Sequence, residues 1–384
     1  MNRTAVRIGT GVAALALATA GAPALAGHGH GGNGATPQTI TELDGPRGVD
    51  IVGRGKTLVT ETGGAFSLVI ERKRGPAKVI ELGTVPSGIP PAIAQGRHGT
   101  IYLLVGAAGP PEEETVPELG TDAEPAASPT LYKWRWGWSA PRPVADIGAY
   151  QARDLDPYDQ EGHPEESNPF GLAALKDGTV LVADAAGNDL LRVWPGGRIK
   201  TVARFTPRVV ETPEGLPEVP PEEGGPLPPA GTPIPAESVP TSVTVGKDGY
   251  WYVGELRGFP ATPGTSQIWR IKPGSTDAVC DSERWWRGRC TRYADGLTSI
   301  TDLATGSRGI YALSLSKAGW LPLEFGAPGA EVGGLYLVGK RGHRTWTREI
   351  APDQLMIPGG VDVRGHQIRV VGPLFGPGAL LRVR

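Results

Sequence analysis

The sequence predicts an all-β protein, and three observations carry that expectation. Six short apolar runs of one shape recur along the chain: KTLVTE (56–61), TIYLLV (100–105), TVLVAD (179–184), YWYVGE (250–255), IYALSL (310–315) and IRVVGP (368–373). Ten residues before the start of each run stand Pro46, Pro90, Pro169, Pro240, Ile300 and Pro358, and three residues after each of those stands an aliphatic: Val49, Ile93, Leu172, Val243, Leu303 or Val361. Between aliphatic and run lie turn sequences such as LKDGT (175–179), GKDGY (246–250) and GSRGI (306–310), and no stretch shows a convincing helical period. Each repeat thus opens with a hairpin and continues into further strand-like runs, for example LLRVW (190–194) and IKTVARF (199–205). Repeats of about 40 residues or more, each a four-stranded antiparallel sheet unable to bury both faces alone, predict a β-propeller. Six repeats predict six blades.

Taken in order, residues 1–26 have Arg3 and Arg7 ahead of an apolar middle and end in Ala24-Leu25-Ala26, the pattern of a secretory signal peptide cleaved after Ala26. Residues 27–38 read as a flexible Gly/His-rich leader, with His28 and His30 as spacer rather than metal ligands. The propeller is expected over 39–384. TITEL (39–43) has no hairpin of its own, and the last repeat supplies three strands (GVDVRG, QIRVVG and ALLRVR), so TITEL is expected as the outer strand of the sixth blade. Pairing the two chain ends in one sheet removes the open seam of the ring. Nothing later in the mature chain is apolar enough for a transmembrane segment. Cys280 and Cys290 are expected to form a local disulfide, in keeping with a secreted, extracellular protein.

In an up-and-down blade, the connection after the second strand and the connection to the next blade emerge on one face. The long insertions 106–130, 149–168, 206–239, 256–266 and 316–333 all fall there. The first three are acidic, although the formal net charge of the chain is only −2. An acidic loop face on a mildly basic body favours cationic ligands, and the overall charge gives no reason to expect nucleic acid. The insertion 206–239, rich in Pro and Glu, reads as extended or disordered chain, and the acids of 154–168 as a solvated loop.

Second strands end in Glu61, Val105, Asp184, Glu255, Leu315 and Pro373, and Asn168 precedes the innermost strand of the third unit. Glu61, Asn168, Asp184 and Glu255 are therefore candidate ligands for a divalent cation such as calcium at the channel mouth, where hard oxygen ligands from separate blades would converge. The competing reading is that these acids cap turns, as the AAGN after Asp184 invites. Trp134, Trp136 and Trp138 alternate along a strand and are read as packing between blades. Trp285 and Trp286, in the loop between the cysteines, are candidates for contact with a partner or a sugar. No nucleophile elbow and no phosphate-binding Gly-rich loop is present.

The segments NPFGLAALKDGTVLVADAAGNDLLRVWPGG, VPTSVTVGKDGYWYVGELRGFPATPGTSQIWRI and GLTSITDLA resemble the ScyD/ScyE family of exported bacterial proteins, related to NHL-type and gluconolactonase-like six-bladed propellers. The resemblance spans nearly the whole mature chain and is most specific in units three to five. It implies the fold and export, and it supplies no catalytic residues. The expected function is a non-catalytic or accessory protein that binds a small molecule or an extracellular protein on the acidic loop face. The alternative is a metal-dependent hydrolase, of lactonase or phosphoesterase type, with a cation at the channel mouth.

Overall fold

A computed structural model describes residues 36–107, 128–216, 218–219, 225–342 and 344–384. The signal-peptide and leader expectations, and most of the 106–130 insertion, lie outside these residues. Six four-stranded antiparallel sheets form the ring. Their innermost strands are Val49–Gly53, Ala92–Gln95, Pro169–Ala174, Pro240–Val245, Ile300–Gly306 and Gly360–Arg364, which define blades 1 to 6 and lie side by side around a central channel. In blades 1 to 5, sequence order is radial order from the channel outward, and in blade 6 the same holds for its three C-terminal strands.

The closing strand is where the sequence placed it. Gln38–Asp44 pairs antiparallel with Pro377–Val383 as the outer strand of blade 6, with Leu43 buried. Its alternation explains the choice of partner: one face meets the buried Val49, Val59 and Val69 of blade 1 together with Val371 and Leu380 of blade 6. Burial of such side chains stabilises by roughly 1.5–3 kcal/mol each, so the seam joins blades 6 and 1 by packing as well as by strand pairing.

Between blades the backbones pass closely. A Cβ on Gly48 would lie 2.7 Å from the Pro91 carbonyl of blade 2, one on Gly171 2.4 Å from the Thr241 carbonyl of blade 4, and one on Gly360 2.2 Å from the Arg47 carbonyl of blade 1. In blades 1, 3 and 6 the position before the anchoring aliphatic is thus glycine because the neighbouring blade occupies the space of a side chain.

Three expectations need correction. In blades 5 and 6 the first hairpin closes through two residues, with Gly306 opposite Gly309 and Arg364 opposite Gln367. The register behind these tight turns moves by one, so Ser314 and Gly372, not Leu315 and Pro373, match Asp184. Within 206–239, Arg208–Glu211 pairs with Pro233–Ala236 as a two-stranded ribbon, anchored where Arg208 Nη1 meets Asp295 Oδ1 at 2.8 Å. The strand of blade 2 ends at Trp134, whose ring meets Phe66 of blade 1 edge-on at 5.7 Å; Trp136 and Trp138 belong to the following turn, and Trp136 is exposed. Two one-turn helices, Ile147–Gln151 and Trp320–Glu324, sit in the insertions and are too short to leave a periodic signature. Cys280 and Cys290 are joined, with Cα atoms 5.0 Å apart. Ala278–Cys280 adds a parallel fifth strand to blade 3, so the stapled loop ties blade 4 to its neighbour. No helix among the described residues is long and apolar enough to cross a membrane.

Candidate functional site

The central channel, about 350 Å³, is lined by the six innermost strands. Its charged residues, Arg47, Asp50, Asp302 and Asp362, were not singled out from the sequence. Each Asp reaches to the inner strand of the next blade. Asp302 Oδ2 accepts the Val361 N–H at 2.7 Å, Asp362 Oδ2 accepts the Ile51 N–H at 2.6 Å, and Asp50 Oδ2 accepts the Gln95 N–H. The inner edge of every blade presents N–H groups without a strand partner, and these carboxylates satisfy them across three successive blade contacts. Burial pushes Asp302 up to about 7; burial and the neighbouring Asp362 do the same to Asp50. The sequence signal, visible in retrospect, is the shared place of Asp50 and Asp362 directly after the anchors Val49 and Val361.

Arg47 crosses the channel at the loop face. Its guanidinium donates to the Pro90 carbonyl at 2.8 Å and to the Phe170 carbonyl, and lies 3.7 Å from the centre of the Phe170 ring. Phe170 in turn joins an apolar cluster with Leu256, Leu315, Trp320, Leu323 and Leu374, contributed by blades 3 to 6. Arg47 and Phe170 thus link the channel lining to the packed loops of this face.

The four proposed cation ligands occupy separate settings. Asp184, fully buried, accepts the Asn168 N–H at 2.7 Å, the Gly187 N–H at 3.1 Å and the Ser167 hydroxyl at 2.6 Å. Asn168 Oδ1 accepts the Ala107 N–H at 3.2 Å. Glu255 is paired with Arg257 and accepts from Ser238 Oγ at 2.7 Å and from Trp269 Nε1. Burial raises the Glu255 pKa and lowers that of Arg257, each opposed by the charge of the other. Glu61, on blade 1, accepts the Asp44 N–H at 2.9 Å. Among the described residues no three His, Cys, Asp or Glu stand where they could share an ion. Asp184 and Glu255 hold turns and a buried ion pair, and their oxygens are already engaged with N–H and O–H donors.

Glu61 instead lines a cleft of about 840 Å³ on the loop face of blade 6, bordered by the closing strand, by residues 354–358 and by residues 372–379. The carboxylates of Glu42, Asp44 and Glu61 border it, Leu43, Leu355, Met356 and Leu381 give it an apolar wall, and no Lys or Arg lines it. Gln354 adds a buried amide oxygen that lacks a hydrogen-bond donor.

The acidic segment 154–168 packs on blade 3 rather than standing free in solvent. Asp156 is buried and shares the Asn188 amide with Glu237, at 3.1 and 3.3 Å, while Asp154 pairs with Arg204 at 2.6 Å. Burial and the nearby acids push Glu237 up to about 7. Asn188, whose φ of 47° is tolerated by an Asn in the turn after Asp184, is the residue that organises this cluster. Trp285 and Trp286 stand edge to face at 5.5 Å on the outer loop, both exposed, with Arg292 over the Trp285 ring at 4.0 Å.

No family model matches the chain, and no curated protein matches it. Solved structures do. A glucose dehydrogenase is 11% identical, with 91% of this chain and 99% of that chain covered at a TM-score of 0.52. The PQQ-bound aldose sugar dehydrogenase from Streptomyces coelicolor is 13% identical, with 91% and 98% covered at 0.50. A protein of unknown function from Bacteroides thetaiotaomicron is 10% identical, with 91% and 72% covered at 0.50. The shared property at these identities is the propeller fold, which serves enzymes and proteins without assigned activity alike.

Proposed function

We propose that the protein is an exported, non-catalytic propeller of ScyD/ScyE type that binds a cationic small molecule on its loop face, in the cleft beside Glu61. One observation carries this reading: three carboxylates and an apolar wall surround a concave site that has no basic lining residue. An amine with a hydrophobic body would place its charge at the acidic rim and its carbon skeleton against Leu43, Leu355 and Met356. The exposed Trp285–Trp286 pair would serve a second contact with an extracellular protein or a sugar. Export is supported by the signal-like sequence 1–26 and by the Cys280–Cys290 bridge.

The test is isothermal titration of hydrophobic primary amines and of carboxylates with the same skeleton. Amines are expected to bind and the carboxylates not to, and Glu61→Gln should weaken the amine by roughly tenfold, equivalent to about 1.4 kcal/mol. Absence of binding by every amine, or an affinity indifferent to Glu61→Gln, would refute the assignment.

A further inference from the structure

The opposite face of the ring has the opposite charge. Its short connections 54–55, 71–77, 96–100, 135–141, 175–179, 194–198, 246–250 and 307–308 carry ten Lys or Arg and three Asp or Glu. All ten cations are exposed, and none of them makes an ion pair among the described residues. The three acids are already neutralised by strand arginines: Glu71 by Arg369 and Arg382, Asp177 by Arg192, and Asp248 by Arg270. The surplus positive charge is therefore uncompensated.

Aromatic rings are interleaved with these cations. Among the ten, Arg135 lies 5.9 Å from the Trp138 ring centre and Arg198 4.0 Å from that of Trp194; Arg142 also lies over Trp138, at 4.3 Å, while Arg270, over Tyr250, is already engaged with Asp248. Stacking of this kind holds a guanidinium flat and orders its N–H edge for bidentate contact with a carboxylate, sulfate or phosphate. Trp136, 57% exposed, stands in the same turn as Trp138 and offers a bare ring for the C–H face of a sugar.

We infer that this turn face binds an anionic polysaccharide, with the arginines taking its acidic groups and the exposed aromatics its sugar rings. The inference is independent of the amine cleft, which lies on the other face. A flexible linear polymer can follow cations spread from blade to blade around a ring, whereas a rigid duplex would meet few of them at once. An anionic bilayer is disfavoured because the rings of Trp138, Trp194 and Tyr250 are capped by guanidinium and are not free to enter an apolar phase.

The experiment uses the protein with immobilised alginate, a linear polyuronate, at low and at physiological salt, beside vesicles containing phosphatidylglycerol and a DNA duplex. Alginate should bind at low salt and be released as salt rises. Arg72→Glu/Lys73→Glu/Arg74→Glu should weaken binding by at least about tenfold, while Arg153→Glu on the acidic face should leave it unchanged. Lys176→Glu/Arg198→Glu, on blade 3, is an independent second variant should the first fail to fold. No retention of alginate at low salt, equal retention of both charge-reversal variants, or tighter binding to the vesicles or the duplex than to alginate would overturn the inference.

Discussion

Glu255 distinguishes a structural carboxylate from a ligand-binding one, and Glu255→Gln tests which it is. In the native protein the carboxylate and the Arg257 guanidinium are both almost fully buried, 1% exposed each. Gln keeps an oxygen for Ser238 and Trp269 but turns an N–H₂ group toward a guanidinium that also only donates. Arg257 would be left with the Ala236 and Glu237 carbonyls at 3.3 and 3.2 Å and the Gln267 amide oxygen at 3.3 Å, and with no anion. Breaking a buried pair by removing one partner costs about 3–5 kcal/mol. Replacing both partners, Glu255→Met with Arg257→Met, removes the unpaired charge and should recover most of that loss. The assay is equilibrium urea unfolding at pH 7 for the wild type, the Gln variant and the Met pair. A Glu255→Gln loss below about 1 kcal/mol would refute the reasoning, because a pair worth that little is the surface-exposed kind.

Two further outcomes follow from the channel and the staple. Asp50 and Asp302 hold their protons in the folded protein up to about 7, while an unfolded Asp ionises near 4. Their contribution is therefore fully present below pH 4 and is lost as pH rises from about 4 to about 7, so the urea midpoint should be higher at pH 5 than at pH 8, and Asp302→Asn should flatten the difference; a midpoint that rises with pH across this window would contradict the burial argument. Replacing Cys280 and Cys290 by Ser, a bridge with ten residues of separation, should destabilise by about 2–3 kcal/mol through the freed unfolded chain. It should also expose 281–289 to trypsin, and a wild-type digestion pattern would show that the strand Ala278–Cys280 holds the loop unaided.

The fold was legible because its anchors are periodic in the sequence: Pro46 and Val49 recur with their equivalents at a fixed spacing, and TITEL lacked a hairpin partner of its own. The disulfide followed from two cysteines in one short loop. The register of blades 5 and 6 was not legible, because a two-residue turn and a longer one look alike until the strands are paired. The channel acids escaped notice for a different reason. Asp50 and Asp362 share a column directly after their anchors, but Asp302 stands one place before its own, and only the ring brings the three together. Asp184 and Glu255 shared a column and invited a shared site, yet each is satisfied by donors of its own turn or blade. Of the residues proposed from that column, Glu61 alone lines a cleft. The basic face was implied by charge balance, since acidic insertions in a nearly neutral chain leave a positive remainder; its concentration on the turns required the topology.

The most direct test of the account is the metal content of the extensively dialysed protein, measured by elemental mass spectrometry beside Glu61→Gln and Glu61→Gln/Asp184→Asn. With Asp184 and Glu255 committed to turn and ion pair, and Glu61 in the cleft proposed to take an amine, all three proteins should carry well below one equivalent of any divalent cation. About one calcium, zinc or manganese per chain, lost on substitution of Glu61 and Asp184, would contradict it.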